Sequence, residues 1–323
     1  MTPRALLLGA LLGLAACAAP TGGWDSDALL DQFPDVRAIE AQRLGDLTPY
    51  PAIVDGRVEL ITCRFPATGP PVPVVIAGEQ WPSSWGAAAL DAVDAALHSL
   101  SFARPTESFA TPGIRILSIP DAGGIGPAGL ADTRADCDVG PRGGSDSGVR
   151  GLLVDSEIRI RRRVLGTWTQ ERAATAEDWL GAMLHELGHA LGFQGHAAVG
   201  DSLVQLEQSR LRFLGRRVLE GEPVSAPSLR ALYALPPGTR LGVAELSPAA
   251  RSVVAGVLEE VEARTRIAGA PVASRALVGD RHARITWRWS DGTSVVLRFP
   301  NWSTSLRWGR EIDARHAGRG SRP

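Results

Sequence analysis

Three of the six histidines of this chain lie in one short stretch, HELGHALGFQGH, which runs from His185 to His196. His185 and His189 are four residues apart, so on an α-helix their side chains lie on the same face. Two imidazoles in this arrangement can bind one zinc ion, and Glu186 between them can act on a zinc-bound water. The pattern predicts a hydrolytic zinc centre that cleaves peptide bonds.

The third protein ligand of this centre is the open question, because a catalytic zinc ion usually has three protein ligands and one open position. We predict His196, since Gly192 and Gly195 allow the chain to turn back towards the metal. Asp201 is the next candidate, and Glu207 is a more distant one. Glu186 acts as the general base in this prediction and is not a ligand.

The motif has the sequence features of a stable helix that can position it. Thr175 and Asp178 have the spacing of a capping box, which predicts that the helix begins there. Gly192 predicts its end, because glycine tolerates a positive φ. An apolar stripe for the core lies beside the ligand face and consists of Leu180, Met183, Leu184, Leu187 and Leu191.

Strand and helix patterns flank this helix on both sides. The predicted strands before it are Val72 to Ala77, a strand with Ile114 and Ile116, Val149 to Val154, and Glu157 to Arg163. A helix capped by Ser83 or Ser84 extends to Leu100, and the Gly- and Asp-rich stretch from Asp121 to Gly148 is predicted as a loop. After the motif we expect short helices at Ser225 to Leu235 and from Ser247, then a hairpin that turns at Asp291-Gly292.

The beginning of the chain has the composition of an export signal. Arg4 precedes an apolar run from Ala5 to Ala16 that is too short to span a bilayer. Leu14-Ala15-Ala16-Cys17 resembles the bacterial lipobox, in which the cysteine carries the lipid. This resemblance implies a lipid-anchored protein of the cell envelope, at the outer membrane or the periplasmic face.

The two remaining cysteines, Cys63 and Cys137, are expected to form one disulfide, because an exported chain enters an oxidising compartment. A bolder alternative is that Cys63 binds the zinc as an inhibitory thiolate. The formal net charge of −1 gives no reason to expect nucleic acid as a partner.

Around the motif, the chain resembles the matrixin-type metzincins, a family of zinc metalloproteases, over roughly residues 72 to 236. The similarity lies in Gly129 to Thr133, in Val154 to Ile160, in the motif itself and in Ser225 to Tyr233. It implies an α+β fold in which a twisted mixed β-sheet packs on the active-site helix. It also implies a cleft below an antiparallel edge strand, along which a peptide or protein substrate pairs as an extra strand.

The chain differs from the family at two points. His196 comes one residue later than the family's third histidine, and the methionine beneath the zinc is missing, since Met1 and Met183 are the only methionines. Val204 is the expected replacement for that methionine. The family often carries structural calcium, for which Asp132, Asp136, Asp138 and Asp146 are candidates, although a solvated loop is the favoured interpretation.

The sequence therefore predicts a lipid-anchored zinc endopeptidase with Glu186 as its base. Two alternatives stay open: a non-catalytic binding protein on the same scaffold, and a gluzincin-type peptidase that uses Glu207. The expected organisation is a signal peptide (1–16), a lipidated tether (17–23), an N-terminal segment that wraps the catalytic domain (24–71), the matrixin-like catalytic domain (72–240) and a C-terminal extension of a helix plus a β-hairpin (241–323).

Overall fold

Apolar and β-branched residues build one mixed sheet of eight strands at the centre of the molecule. Its strands, in spatial order, are β13 (Ser294–Pro300), β12 (His282–Arg288), β11 (Ala273–Gly279), β6 (Ala131–Asp138), β7 (Leu152–Ile160), β5 (Gly113–Ser118), β3 (Val72–Ala77) and β4 (Phe102–Ala103). The computed structural model describes residues 50–67, 69–77, 83–97, 100–103, 112–118, 131–142, 148–161, 163–165, 171–194, 203–204, 208–244, 246, 248–279 and 282–300.

Two smaller sheets and a set of helices accompany the large sheet. The smaller sheets are β1 (Tyr50–Val54), β2 (Arg57–Ile61) and β10 (Arg240–Val243), and the pair β8 (Arg163–Leu165) and β9 (Glu171–Ala173). The helices are α1 (Ser83–Leu97), α2 (Ala176–Ala190), α3 (Gln208–Leu219), α4 (Pro227–Ala234) and α5 (Pro248–Ala268). The expected α+β class with a large mixed sheet is confirmed. Among the described residues, no helix is long and apolar enough to span a bilayer.

The large sheet changes its pairing mode at β7. On one side of it, β5, β3 and β4 run parallel to their neighbours, and on the other side β6, β11, β12 and β13 run antiparallel. β7 is one continuous strand where the sequence predicted two. The predicted hairpin near the C-terminus is present, since β12 and β13 pair from His282↔Pro300 to Arg288↔Ser294 and Gly292 adopts a φ of +83° in the turn.

Strand β6 lies inside the stretch that the sequence predicted as a loop, and that prediction was wrong for these residues. Thr133, Ala135 and Cys137 are buried, whereas the alternating Asp132 and Asp136 are half-buried on the opposite face. This period of two is the signature of a strand with one face on the core. The stretch can be rich in acidic residues and still form a strand, because these residues lie only on the outer face.

Strand β6 is also not the edge of the sheet. β11 pairs with it antiparallel from Arg275↔Asp138 to Gly279↔Arg134. The edge strand that the resemblance implies is therefore not β6 over Arg134–Asp138, where β11 occupies the edge. The strands that follow residue 240 complete the same sheet.

A disulfide joins the N-terminal hairpin to β6. Cys63 follows β2 and is bonded to Cys137 of β6, with 6.2 Å between their Cα atoms. Both residues are fully buried. A bonded Cys63 has no thiolate to offer, which argues against its alternative role as an inhibitory zinc ligand.

Helix α2 is buried along most of its length, from Asp178 to Ala190. It packs against β6 and β7 on one side and against α3 on another. Glycines allow the close contact with α3, because a methyl group at Gly181 would overlap the carbonyl oxygen of Leu211, and one at Gly215 would overlap that of Glu177. Two helix backbones can approach this closely only where side chains are absent.

We predict that Gly181→Ala lowers the free energy of unfolding by about 1–3 kcal/mol, because the new methyl group forces α2 and α3 apart. The matched control is Gly256→Ala in α5, where a Cβ would meet nothing within 4 Å. That exposed helical site should gain roughly 0.5–1 kcal/mol from the higher helix propensity of alanine. Urea unfolding followed by circular dichroism measures both, and equal effects at the two sites would contradict the close packing.

Candidate metal centre

A capping box fixes the start of the helix that carries the motif. Thr175 Oγ1 accepts a hydrogen bond from the Asp178 amide (3.3 Å), and the Thr175 amide donates to Asp178 Oδ2 (2.9 Å). The guanidinium of Arg172 donates to both carboxylate oxygens of Asp178, at 2.6 and 2.9 Å. The predicted capping box is therefore confirmed, with a bidentate arginine added to it.

Asp178 is charged although its side chain is buried. Burial opposes its ionisation, but the hydrogen bonds from Arg172 and Thr175 outweigh this and hold its pKa below the usual value. Arg212 of α3 lies 3.2 Å from the same carboxylate. The beginning of α2 is thus tied to both β9 and α3.

The other end of α2 is held by its neighbours through backbone carbonyls. Ser156 of β7 donates to the carbonyl of Ala190 (2.7 Å), and Tyr233 of α4 donates to that of Leu191 (3.1 Å). Gly192 then turns the chain with a φ of +111°, and a side chain there would overlap the carbonyl oxygen of Cys63. The predicted glycine turn is confirmed, and only glycine satisfies both constraints.

The side chains of His185 and His189 converge on one point. Their Nε2 atoms are 3.1 Å apart, and the rings meet edge to face with 4.6 Å between centroids. The Nδ1–H of His189 donates to the carbonyl of Phe193 (2.5 Å), which leaves its Nε2 as the atom with a lone pair. This carbonyl fixes the tautomer and the ring orientation, as backbone carbonyls commonly do for metal-binding histidines.

Burial keeps His189 in the neutral form that binds metals. It lowers the pKa of His189 to about 4, against the hydrogen bond to Phe193 and the charge of Asp132, which both raise it. A neutral imidazole is the form in which histidine binds zinc.

The donor set fits a zinc ion. Two nitrogens bound to zinc at about 2.0–2.1 Å in a near-tetrahedral arrangement lie about 3.3 Å apart, close to the observed separation. The site is buried at His185 and His189, with 7% and 4% of these residues exposed, so the two rings are held in place by packing. Among the described residues, no third histidine, cysteine or carboxylate joins them to complete a ligand set.

The carboxylate of Glu186 is held by a residue of the sheet. Thr133 of β6 donates a hydrogen bond from Oγ1 to Glu186 Oε2 at 2.6 Å, and both residues are buried. Because the acceptor is a carboxylate, this is one of the stronger types of hydrogen bond in proteins. One oxygen of Glu186 is thereby oriented by β6.

Several predicted site residues lie outside the described part of the chain. His196, Asp201 and Glu207, the three candidates for the third ligand, are among them, and so is the predicted lipidation site Cys17. The geometry therefore brings together His185 and His189, orients Glu186 of the same helix through Thr133, and leaves the third ligand a prediction.

The candidate calcium residues do not form a cluster in the described residues. Asp132, Asp136 and Asp138 alternate along the outer face of β6, and Asp138 is already engaged by the guanidinium of Arg150 at 2.8 and 2.9 Å. Asp146 lies outside the described residues. Burial raises the pKa of Asp136 to about 6, so this residue is not a solvated surface carboxylate, and the structural calcium site stays a prediction.

Val204 lies directly beneath the motif. A methyl group at Gly188 would clash with Cγ1 of Val204, at 2.5 Å, and Val204 is 2% exposed. Gly188 lies between His185 and His189 in the chain, so Val204 packs against the turn of helix that carries the two histidines. This is the place at which the sequence expected a replacement for the family's methionine.

Sequence reasoning missed the residues that orient the site. Thr133 was noted only as part of a family-like stretch, and the roles of Phe193 and Gln194 were not predicted. Gln194 donates to Tyr50 Oη (2.7 Å) and to the carbonyl of His189 (3.1 Å), which ties the N-terminal hairpin to α2. A polar residue on the buried face of a strand was the available signal for Thr133.

No family model matches the chain, and no curated protein is significantly similar to it in sequence. The function proposed below therefore depends on the residues of this chain and on their geometry.

We predict that the metal-free protein loses stability as the pH falls from about 6.5 to about 4. The unfolded chain takes up a proton at His189 near pH 6.5, whereas the folded protein does so only near pH 4, so protons favour unfolding in this window. The slope should reach about 1.4 kcal/mol per pH unit from this residue. Urea unfolding in a chelator at several pH values measures it, and an identical slope in His189→Gln would contradict the assignment.

Proposed function

We propose that the chain is a zinc-dependent endopeptidase of matrixin-like metzincin type, held at the bacterial cell envelope by a lipid on Cys17. The observation that carries the proposal is the convergence of the His185 and His189 Nε2 atoms to 3.1 Å on a helix that also carries the buried Glu186. Protein or peptide chains are the expected substrates.

The arrangement of elements supports the finer fold assignment. The parallel strands β3, β5 and β7, the antiparallel β6, and α2 packed against β6 and β7 agree with the mixed sheet over the active-site helix that the resemblance implies. The pairing of β11 with β6 departs from the edge strand that it also implies. The glycine turn at Gly192, and Val204 packed against Gly188 where the family has a methionine, also support the assignment.

The chemistry follows from the groups that this chain provides. His185 and His189 would hold the zinc ion, which when bound polarises a scissile carbonyl and lowers the pKa of water. Glu186 accepts the proton of the attacking water on a carboxylate oxygen and donates it to the leaving amine. Thr133 keeps the other oxygen of Glu186 in a hydrogen bond, so that the carboxylate faces the reacting atoms in one orientation.

Export and lipid anchoring are proposed from the first residues and from the disulfide. The run from Ala5 to Ala16 and the sequence Leu14 to Cys17 have the features of a lipoprotein signal. The buried Cys63–Cys137 disulfide is of the kind that persists in an oxidising compartment outside the cytoplasm.

The decisive measurement compares zinc content and peptide hydrolysis in the full chain and in Glu186→Gln, both purified in detergent. We expect one bound zinc in both proteins and a loss of turnover on the order of 10³-fold or more in Glu186→Gln, because the base is absent. Activity that survives this change would exclude the proposed mechanism. Zinc binding without any hydrolysis by the unmodified chain would favour the non-catalytic binding protein.

The same assay separates the candidates for the third ligand. His196→Ala should lose bound zinc, whereas Asp201→Ala and Glu207→Ala should retain it. Zinc loss in Glu207→Ala alone would instead indicate the gluzincin-type site.

Thr133 is a positioning residue in this proposal, and its hydroxyl has a measurable role. Thr133→Val keeps the shape but removes the hydrogen bond to Glu186, which is worth about 1.5–3 kcal/mol for a charged acceptor. We expect kcat to fall by about 10-fold to 100-fold with KM and zinc content unchanged. Thr133→Ser, which keeps the hydroxyl, should restore most of the kcat, and a similar kcat in Val and Ser variants would show that the contact is only structural.

A further inference from the structure

The sheet edge beside the candidate site is partly occupied by the chain itself. β11 pairs with β6 over Arg134–Asp138, and this register ends at the pair Arg134↔Gly279. The first part of β6, from Ala131 to Thr133, extends beyond the register with β11. Any peptide that adds a strand to β6 must do so within this short segment.

The end of β11 lies next to Glu186. Thr133 immediately precedes Arg134, at which the pairing with β11 ends. Its hydroxyl donates a hydrogen bond to Glu186, so the reacting carboxylate is beside the first part of β6. Gly279 is close to the same residue, since a Cβ on Gly279 would lie 3.5 Å from the carbonyl oxygen of Thr133. β11 therefore ends about one residue from the candidate site, which is about 3.3 Å along a strand.

β11 is a permanent part of the core. Ala276 and Val278 are 0% and 1% exposed. β12 pairs with the whole of β11 on its other side, from Ala273↔Arg288 to Gly279↔His282. Beyond the strand, the amide of Val139 donates to the carbonyl of Ser274 (2.9 Å). Removing β11 from the sheet would expose buried apolar side chains and break its hydrogen-bonded pairing with both β6 and β12.

The antiparallel pairing of this edge determines which end of a bound peptide β11 would block. β11 meets the edge antiparallel, the pairing mode that is slightly more stable per residue than the parallel one. A peptide in the same mode runs opposite to β6, so its residues after the scissile bond lie along Ala131 and those before it lead towards Arg134. The residues before the scissile bond would then meet Gly279 and the rest of β11.

We propose that β11 closes the cleft on the N-terminal side of the scissile bond. The enzyme then accepts short peptides and the N-terminal ends of longer chains, and it cleaves after about one or two residues. This inference rests on the proposed zinc-peptidase chemistry and narrows it: cleavage is confined to the N-terminal end of the substrate, as in an exopeptidase, and the internal cleavage of an endopeptidase is blocked. An extended internal segment of a protein would have to pass through the position of β11.

The test uses the full chain in detergent, loaded with zinc, and two series of peptides with one common scissile bond. In one series the number of residues before the bond increases from one, and in the other only the number after it increases. We expect kcat/KM to fall on the order of 10-fold to 100-fold once the peptide reaches β11, as misplacement of the reacting bond requires. The second series should show no such fall.

Hydrogen exchange provides a readout that is independent of activity. In zinc-loaded Glu186→Gln, a bound peptide should leave the exchange of the Ala276 and Val278 amides unchanged, because β11 stays in the sheet. Faster exchange there, or equal cleavage throughout both series, would overturn the inference while the proposed peptidase function stands. If no peptide of either series is cleaved, the proposed function fails, and this inference fails with it.

Discussion

The site depends on a single constraint, the burial of α2 on nearly all of its sides. A helix enclosed from Asp178 to Ala190 must satisfy its polar groups within the protein, because it has little access to water. Asp178 does so through the capping box and Arg172, and Glu186 does so through Thr133. The same burial holds His189 neutral and close to His185, so the features that make the helix part of the core also favour the form of His189 that the proposed zinc site needs.

Close packing around α2 is achieved with glycine. Gly181 admits the backbone of α3, Gly188 admits Val204, and Gly192 admits the carbonyl of Cys63. Each contact brings another element against a different side of the helix. The orientation of His185 and His189 is thus determined by contacts along the whole motif, and the loss of one glycine would disturb a histidine several residues away.

Local sequence patterns were sufficient to predict the elements that have clear hydrophobic, capping or turn signals. Val72 to Ala77, the capping box at Thr175 and the hairpin around Gly292 all lie where the residues indicated. α3 was missed because its four arginines obscure a narrow apolar stripe of Leu211, Leu214 and Val218, of which Leu214 is buried. β1 was missed because Pro51 is unusual within a strand.

The remaining features are long-range and have no local signature. The bond between Thr133 and Glu186 joins residues 53 apart in the chain, and the pairing of Asp136 with Leu277 depends on a strand that the sequence analysis did not predict. The motif therefore predicted that His185 and His189 lie together on one helix face, which is what the structure has. The groups that orient them, and the strand that limits access to them, became evident only from the folded chain.

The continuity of the sheet across β6 and β11 also determines how the protein can be divided. A fragment that ends near residue 240 contains the whole motif, but it exposes five residues of β6 backbone as an unprotected edge. Such an edge is a template for intermolecular pairing, so the fragment would be prone to self-association. The C-terminal strands therefore also protect the solubility of the protein, and they fold in one sheet with the part of the chain that carries the motif.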